Sequence, residues 1–164
     1  MEIPKLTRCI ECKSERLRSD LVSATRSVGK HAWSAMVRAQ VCEQCGEVYY
    51  EGPELLRLNR AVAILLVEGG VVSPEAFKFL RKMAELTAAE LADLLAVDPA
   101  TVSRWENERH AIDRATMNAV WDLALDKIYQ RRSTSDRLTY ASKPAPEGRV
   151  LEIDVARIEE KSGL

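Results

Sequence analysis

The chain has 164 residues, 46% of them hydrophobic and 30% charged, with a formal net charge of −1. That length suits one ordinary domain or two small ones, and it excludes global disorder and collagen-like repeats. The longest unbroken apolar run, Ala61 to Val67, is too short to span a bilayer. Met1 to Cys9 holds no apolar stretch of the signal-peptide kind, so the expected compartment is cytoplasmic, with no membrane partner. No region is strongly basic. Any affinity for nucleic acid must come from where a few arginines sit rather than from bulk charge.

In chain order, Arg16 to Arg26 and Ala32 to Val41 are rich in Val, Ser, Thr and Ala, with a turn-like Val28-Gly29-Lys30-His31 between them. Loose alternation puts Trp33, Ala35, Val37, Ala39 and Val41 on one side of the second run, so the pair reads as a β-hairpin. Two strands with so few large apolar residues cannot supply their own core. From Gly52 the pattern turns helical. Gly52-Pro53 suits an N-cap and first helical position, and Leu55, Leu56, Leu58, Ala61, Val62, Leu65 and Leu66 carry an apolar stripe to Gly69-Gly70. Ser73-Pro74 opens a second helix with Phe77, Leu80 and Met83 or Ala84 inward. Thr87-Ala-Ala-Glu90 is a capping box, Asp98-Pro99 starts a further helix, and Asp113 caps a last one running through Met117, Val120, Trp121, Leu123, Leu125 and Ile128. Beyond Arg132 the chain becomes polar and reads as a linker. A short segment there, Val150 to Val155, fits a strand or, with Ile158, a helix face.

Four cysteines form two C-x2-C pairs, Cys9/Cys12 and Cys42/Cys45. Each pair sets two thiolates at the tip of a tight turn, and together they supply four ligands with no open position, the pattern of a structural Zn2+ site. Metal binding would also supply the folding free energy that the small β segment lacks. Gly46 favours the turn after the second pair, whereas Lys13 stands at the equivalent place in the first. Free thiols or a stray disulfide are the bland alternative. An iron or redox dithiol site is a third, and it lacks the context such sites need.

Residues 86–106 hold two capped helices with a very short turn between them. Ala92, Val97, Val102 and Trp105 are spaced to pack between the two, which leaves Pro99, Ala100, Thr101, Ser103 and Arg104 nearer the outer face. Such a helix can enter a DNA major groove, with Arg104 on guanine O6 and N7 and the Pro99–Ala100 surface against a thymine methyl. Thr87, Asn107 and Arg109 are candidates for phosphate contacts. A plain helical core with a solvated arginine fits the same spacing.

Residues 73–127, with Phe79-Leu80-Arg81, Leu86-Thr87…Glu90-Leu91-Ala92 and Thr101-Val-Ser-Arg-Trp-Glu106, resemble the Xre/Cro-type helix-turn-helix superfamily. That resemblance implies a lambda-repressor-like fold and a structural ion pair between Arg81 and Glu106. With the two C-x2-C pairs and the Pro53–Val67 helix, the chain resembles the MqsA/YgiT-type zinc-finger and helix-turn-helix antitoxins over residues 9–130. This implies a homodimeric repressor of a double-stranded DNA operator whose zinc domain can bind a protein toxin, often an mRNA-cleaving ribonuclease. Ala88 and Ala100 depart from the family by removing side-chain contacts to DNA, and Glu108 replaces a glycine after the recognition helix.

The expected fold class is α+β. A zinc-binding β domain (1–52) leads through a connecting helix and linker (53–72) into an all-α helix-turn-helix domain (73–132), followed by a polar C-terminal tail (133–164). A toxin-binding antitoxin and a stand-alone transcriptional regulator remain open, since a toxin-binding surface has no fixed motif. His31 and His110 read as surface residues. Tyr49 and Tyr50 fit either a toxin-binding edge or a cover for the zinc domain. No Ser-His-Asp set, Gly-rich phosphate loop or HExxH stretch occurs, so no catalysis is assigned.

Overall fold

The computed structural model of the protein describes residues 6–131 and 133–141. The expected segment from Val150 to Val155 lies outside these residues. An antiparallel sheet of order β1-β2-β3 comes first, built from β1 (Leu17–Val28), β2 (His31–Cys42) and β3 (Val48–Tyr50). The helices α1 (Gly52–Glu68), α2 (Pro74–Met83), α3 (Ala88–Leu95), α4 (Pro99–Glu106), α5 (Arg114–Ile128) and α6 (Ser133–Ala141) follow.

The hairpin register runs from Leu17↔Cys42 to Val28↔His31, closed by Gly29 and Lys30. Gly29 has φ +57, a left-handed value that a two-residue hairpin turn commonly requires and glycine adopts without strain. Twelve paired positions at about 3.4 Å each separate the two ends of the ribbon by roughly 37 Å. Pairing puts Val22, Ala24 and Val28 on the same face as Trp33, Val37 and Ala39, the side expected from the alternation. Ala24, Val28 and Val37 are buried there in the same apolar cluster as the helices.

That cluster is continuous through Leu58, Val62 and Leu66 of α1, Phe77 and Leu80 of α2, Leu91 and Ala92 of α3, Val102 and Trp105 of α4, and Met117, Val120 and Leu123 of α5. At the hairpin tip, the Arg26 guanidinium lies 5.4 Å from the centre of the Phe79 ring. The helices thus supply much of the core that the two strands lack.

Local chemistry accounts for the helix boundaries. Ser73 accepts the Ala76 N–H, Asp98 accepts the Ala100 N–H and Asp113 accepts the Thr116 N–H at 2.9 Å. The Thr87–Glu90 box is reciprocal, with the Thr87 N–H on Glu90 Oε2 at 2.7 Å and the Glu90 N–H on Thr87 Oγ1 at 3.2 Å.

Four features differ from expectation. The cap of α1 is Glu51, with Gly52 already helical. Only Leu58, Val62 and Leu66 of its expected stripe are buried, together with Ala63, while Leu56 and Leu65 are exposed. Seven positions spread over two helix faces, and only one of those faces meets the core. Val48–Tyr50 adds a third strand beside β2. Finally, the run from Ser133, expected as linker, is the helix α6. Its first turn is held by a residue of the preceding helix: Asp126 Oδ2 accepts the buried Thr134 N–H at 2.7 Å and the Ser133 hydroxyl at 3.2 Å. Nothing in the local run announces a cap that comes from another element.

Candidate functional site

The two cysteine pairs form matching turns at the end of the sheet remote from Gly29. The Cys9 N–H donates to Ser14 O at 2.8 Å and the Lys13 N–H to Cys9 O at 3.1 Å. In the second turn the Cys42 N–H donates to Glu47 O at 2.9 Å and the Gly46 N–H to Cys42 O at 2.8 Å. Each turn ends on a left-handed residue, Lys13 at φ 61 and Gly46 at φ 78. Lysine in this conformation costs about 1 kcal/mol that glycine would not. Its ammonium closes its own turn by donating to Ile10 O at 2.6 Å.

All four sulfurs lie within 4.8 Å of one another. Between the turns, Cys9 approaches Cys45 and Cys12 approaches Cys42, each at 3.5 Å. A tetrahedral ion with metal–sulfur bonds of about 2.3 Å requires sulfur separations of about 3.8 Å, so this donor set fits one ion and leaves no position for a substrate. Cys9 and Cys42 are buried, Cys12 is half-buried and Cys45 is exposed.

Protonation equilibria point the same way. The Tyr49 hydroxyl is the largest influence on Cys9, and with the neighbouring N–H and thiol groups it brings that thiol down to about 6. N–H groups of Cys45 and Gln44 hold Cys42 below the usual thiol range. Although the Glu47 N–H favours a Cys45 thiolate, desolvation and the three other sulfurs push that group up to about 12. Four thiols this close cannot all ionise unless a cation joins them.

Tyr49 is the participant that the sequence did not single out as part of the centre. Its hydroxyl lies 3.1 Å from Cys9 Sγ and accepts the Ile10 N–H at 2.9 Å. The signal was a β-forming Val-Tyr-Tyr run just after the second pair, but only the register of β3 on β2 shows which tyrosine reaches the sulfur.

The second region is α3 and α4. Ala96, at φ 53, turns the chain between them, and Ala92, Val102 and Trp105 are buried at their junction, with Val97 half-buried. Trp105 meets Phe77 edge-on at 5.7 Å, which ties α4 to α2. Arg81 Nε donates to Glu106 Oε1 at 2.6 Å and Arg81 Nη1 to Leu86 O at 2.6 Å, while Lys78 Nζ stands 3.8 Å from Glu106 Oε2. Both members of the inner pair are about nine-tenths buried, so the geometry joins the end of α4, the last turn of α2 and the start of the α3 cap.

On the opposite side of α4, Pro99, Ala100, Ser103 and Arg104 are exposed and Thr101 is half-buried. Asn107 Nδ2 donates to Ser103 O at 2.7 Å and closes the helix end, so its amide is already engaged. Thr87 is also engaged, since its hydroxyl accepts the Glu90 N–H and hydrogen-bonds with the Glu90 carboxylate. Arg109 is exposed beside Glu108, which holds a left-handed φ of 60, a conformation that glycine adopts more readily.

Residues 77–120 match the helix-turn-helix family. The match spans less than half of the chain and runs from within α2 through α3 and α4 to the first half of α5. It supports a DNA-binding transcriptional regulator. No curated protein matches the chain. Among the described residues, no helix is long and apolar enough to cross a membrane.

Proposed function

We propose that the protein is a sequence-specific transcriptional repressor in which α4 enters the major groove and Arg104 reads a guanine. The observation that carries this reading is the exposed α4 face, on which Pro99, Ala100, Ser103 and Arg104 are open to solvent while Val102 and Trp105 anchor the other side. Thr87 and Arg109 contact phosphates. Asn107 holds the helix end and contacts phosphate through its remaining hydrogen-bonding capacity. Arg81 and Glu106 keep α4 at a fixed angle to α2.

The organisation follows the division at residues 52, 72 and 132, with a structural Zn2+ on Cys9, Cys12, Cys42 and Cys45. Zinc suits four thiolates in a closed site and brings no redox chemistry. The protein acts as a homodimer on an operator with two half-sites roughly one DNA turn, about 34 Å, apart. Its zinc-binding β segment binds and inhibits an mRNA-cleaving ribonuclease, which makes it a type II antitoxin that represses its own operon.

Selection from a random-sequence duplex pool should yield a palindromic consensus, and footprinting on that duplex should show two protected half-sites. Arg104→Ala should cost about 1–3 kcal/mol in binding and relax the preference at one position per half-site, with circular dichroism unchanged. Undiminished binding by that variant removes Arg104 from the reading head. A small ribonuclease that co-purifies and loses activity in the complex supports the antitoxin role. Its absence leaves a stand-alone regulator.

A further inference from the structure

Tyr49 touches the cysteine centre without belonging to its ligand set, and we propose that it is the positioning residue that fixes the Cys9 thiolate and tunes the metal bond made through it. The inference rests on the four cysteines holding a metal ion.

Three observations carry it. The phenol oxygen lies 3.1 Å from Cys9 Sγ, within reach of a hydrogen bond to sulfur. The same oxygen accepts the Ile10 N–H at 2.9 Å, so its hydrogen is directed elsewhere. A ligating Cys9 is a thiolate with no hydrogen of its own, and Tyr49 must therefore be the donor of the pair. Cys9 is also only 1% exposed, so water cannot replace that donor, and the backbone N–H of Cys12 stands at a longer 3.5 Å.

The placement of Tyr49 is a consequence of β3. This strand follows the second cysteine turn and pairs Tyr49 with Gln40, while Gln40 Oε1 accepts the Leu6 N–H at 3.1 Å from the chain entering the first turn. Tyr49 thus ties the strand leaving one turn to the backbone and sulfur of the other. Outer partners of this kind orient a ligand and set how much electron density it donates. A phenylalanine in its place would keep the ring packing and lose the donor to Cys9 together with the acceptor of the Ile10 N–H, whereas a fluorinated tyrosine keeps both. The adjacent Tyr50 is an internal control, since its hydroxyl donates to Ser23 O at 3.4 Å, away from the sulfurs.

Co2+ is a suitable probe, because its sulfur-to-metal charge-transfer band reports the donor strength of the thiolates directly. The full chain, Tyr49→Phe and Tyr50→Phe are stripped of metal and titrated with Co2+, and Zn2+ affinity is measured by competition with a chromophoric chelator. Tyr49→Phe should shift the charge-transfer band to lower energy and weaken metal binding about tenfold or more. Tyr50→Phe should match the parent chain. Because Tyr49→Phe can also perturb folding, Tyr49→3-fluorotyrosine is measured beside it. It keeps the ring and makes the phenol a stronger donor, so the band should move to higher energy. Band and affinity unchanged in both Tyr49 variants overturn the role of Tyr49 and leave the metal centre standing. A parent chain that binds Co2+ without a thiolate charge-transfer band overturns both.

Discussion

Ala96 and Glu106 show how single residues set the angle of α4. Ala96 sits at φ 53, where a Cβ is unfavourable and glycine is at ease. Ala96→Gly should therefore stabilise the chain by about 0.5–1 kcal/mol, offset in part by the freer unfolded backbone. The midpoint of urea unfolding reads this directly, and a lower midpoint would show that the alanine is not strained. Glu106 accepts from a guanidinium that is about nine-tenths buried. Glu106→Ala leaves that charge with the Leu86 carbonyl as its remaining close acceptor, and the expected loss is about 3–5 kcal/mol. Replacing both members, as Arg81→Met with Glu106→Leu, should cost much less, because no desolvated charge remains. The sequence showed these two residues as partners only through a family resemblance, since they are far apart in the chain. The four cysteines were legible unaided, because each pair is a local turn with a fixed spacing. Tyr49 was not, because its reach to Cys9 depends on strand register rather than on spacing.

At the scale of elements, caps made within a few residues could be read in advance and the cap made across elements could not. Thr87, Asp98 and Asp113 each stand next to the helix they cap, so local pattern located them. The start of α6 is held by Asp126, seven and eight residues back on α5, whose carboxylate also lies 3.6 Å from Arg131 Nε. Serine, threonine and aspartate in Ser133–Asp136 resemble a loop until that carboxylate is placed under them. Asp126→Ala should leave the Thr134 N–H buried without its acceptor and cost about 1.5–3 kcal/mol locally. The expected readout is faster tryptic cleavage at Arg137 and loss of amide protection in α6, with α2 and α3 unaffected. Unchanged cleavage would mean that packing against α5 and α3 holds α6 without its cap. The α1 stripe failed for a different reason. Periodicity counts apolar residues, but which arc of the helix meets the sheet is decided by Val62 and Leu66 packing inward, and Leu65 is left outside.

With the proposed metal on the four cysteines, the hairpin of the whole molecule would be secured at its two ends by different physics. Leu17 and Cys42 begin the ribbon beside the sulfurs, whereas Ala24, Val28 and Val37 belong to the apolar cluster shared with the helices. The sequence indicated that two such strands need outside support, and the cysteine spacing suggested one source. The second was illegible, because alanines and valines of ordinary size carry no sign of which surface they will meet. This division predicts what chelation does. Stripping the metal should release the sulfur end alone, since burial at the other end does not depend on it. Amides in the two cysteine turns and in the pairs Leu17↔Cys42 to Ser19↔Gln40 should lose protection in hydrogen exchange. Pairs from Val22↔Val37 to Val28↔His31 should keep theirs, together with α2 and α5. Restoring one equivalent of Zn2+ should recover the lost protection. Uniform loss along the ribbon and into the helices would show that the helical core cannot hold the hairpin, and that the ion supports the entire fold.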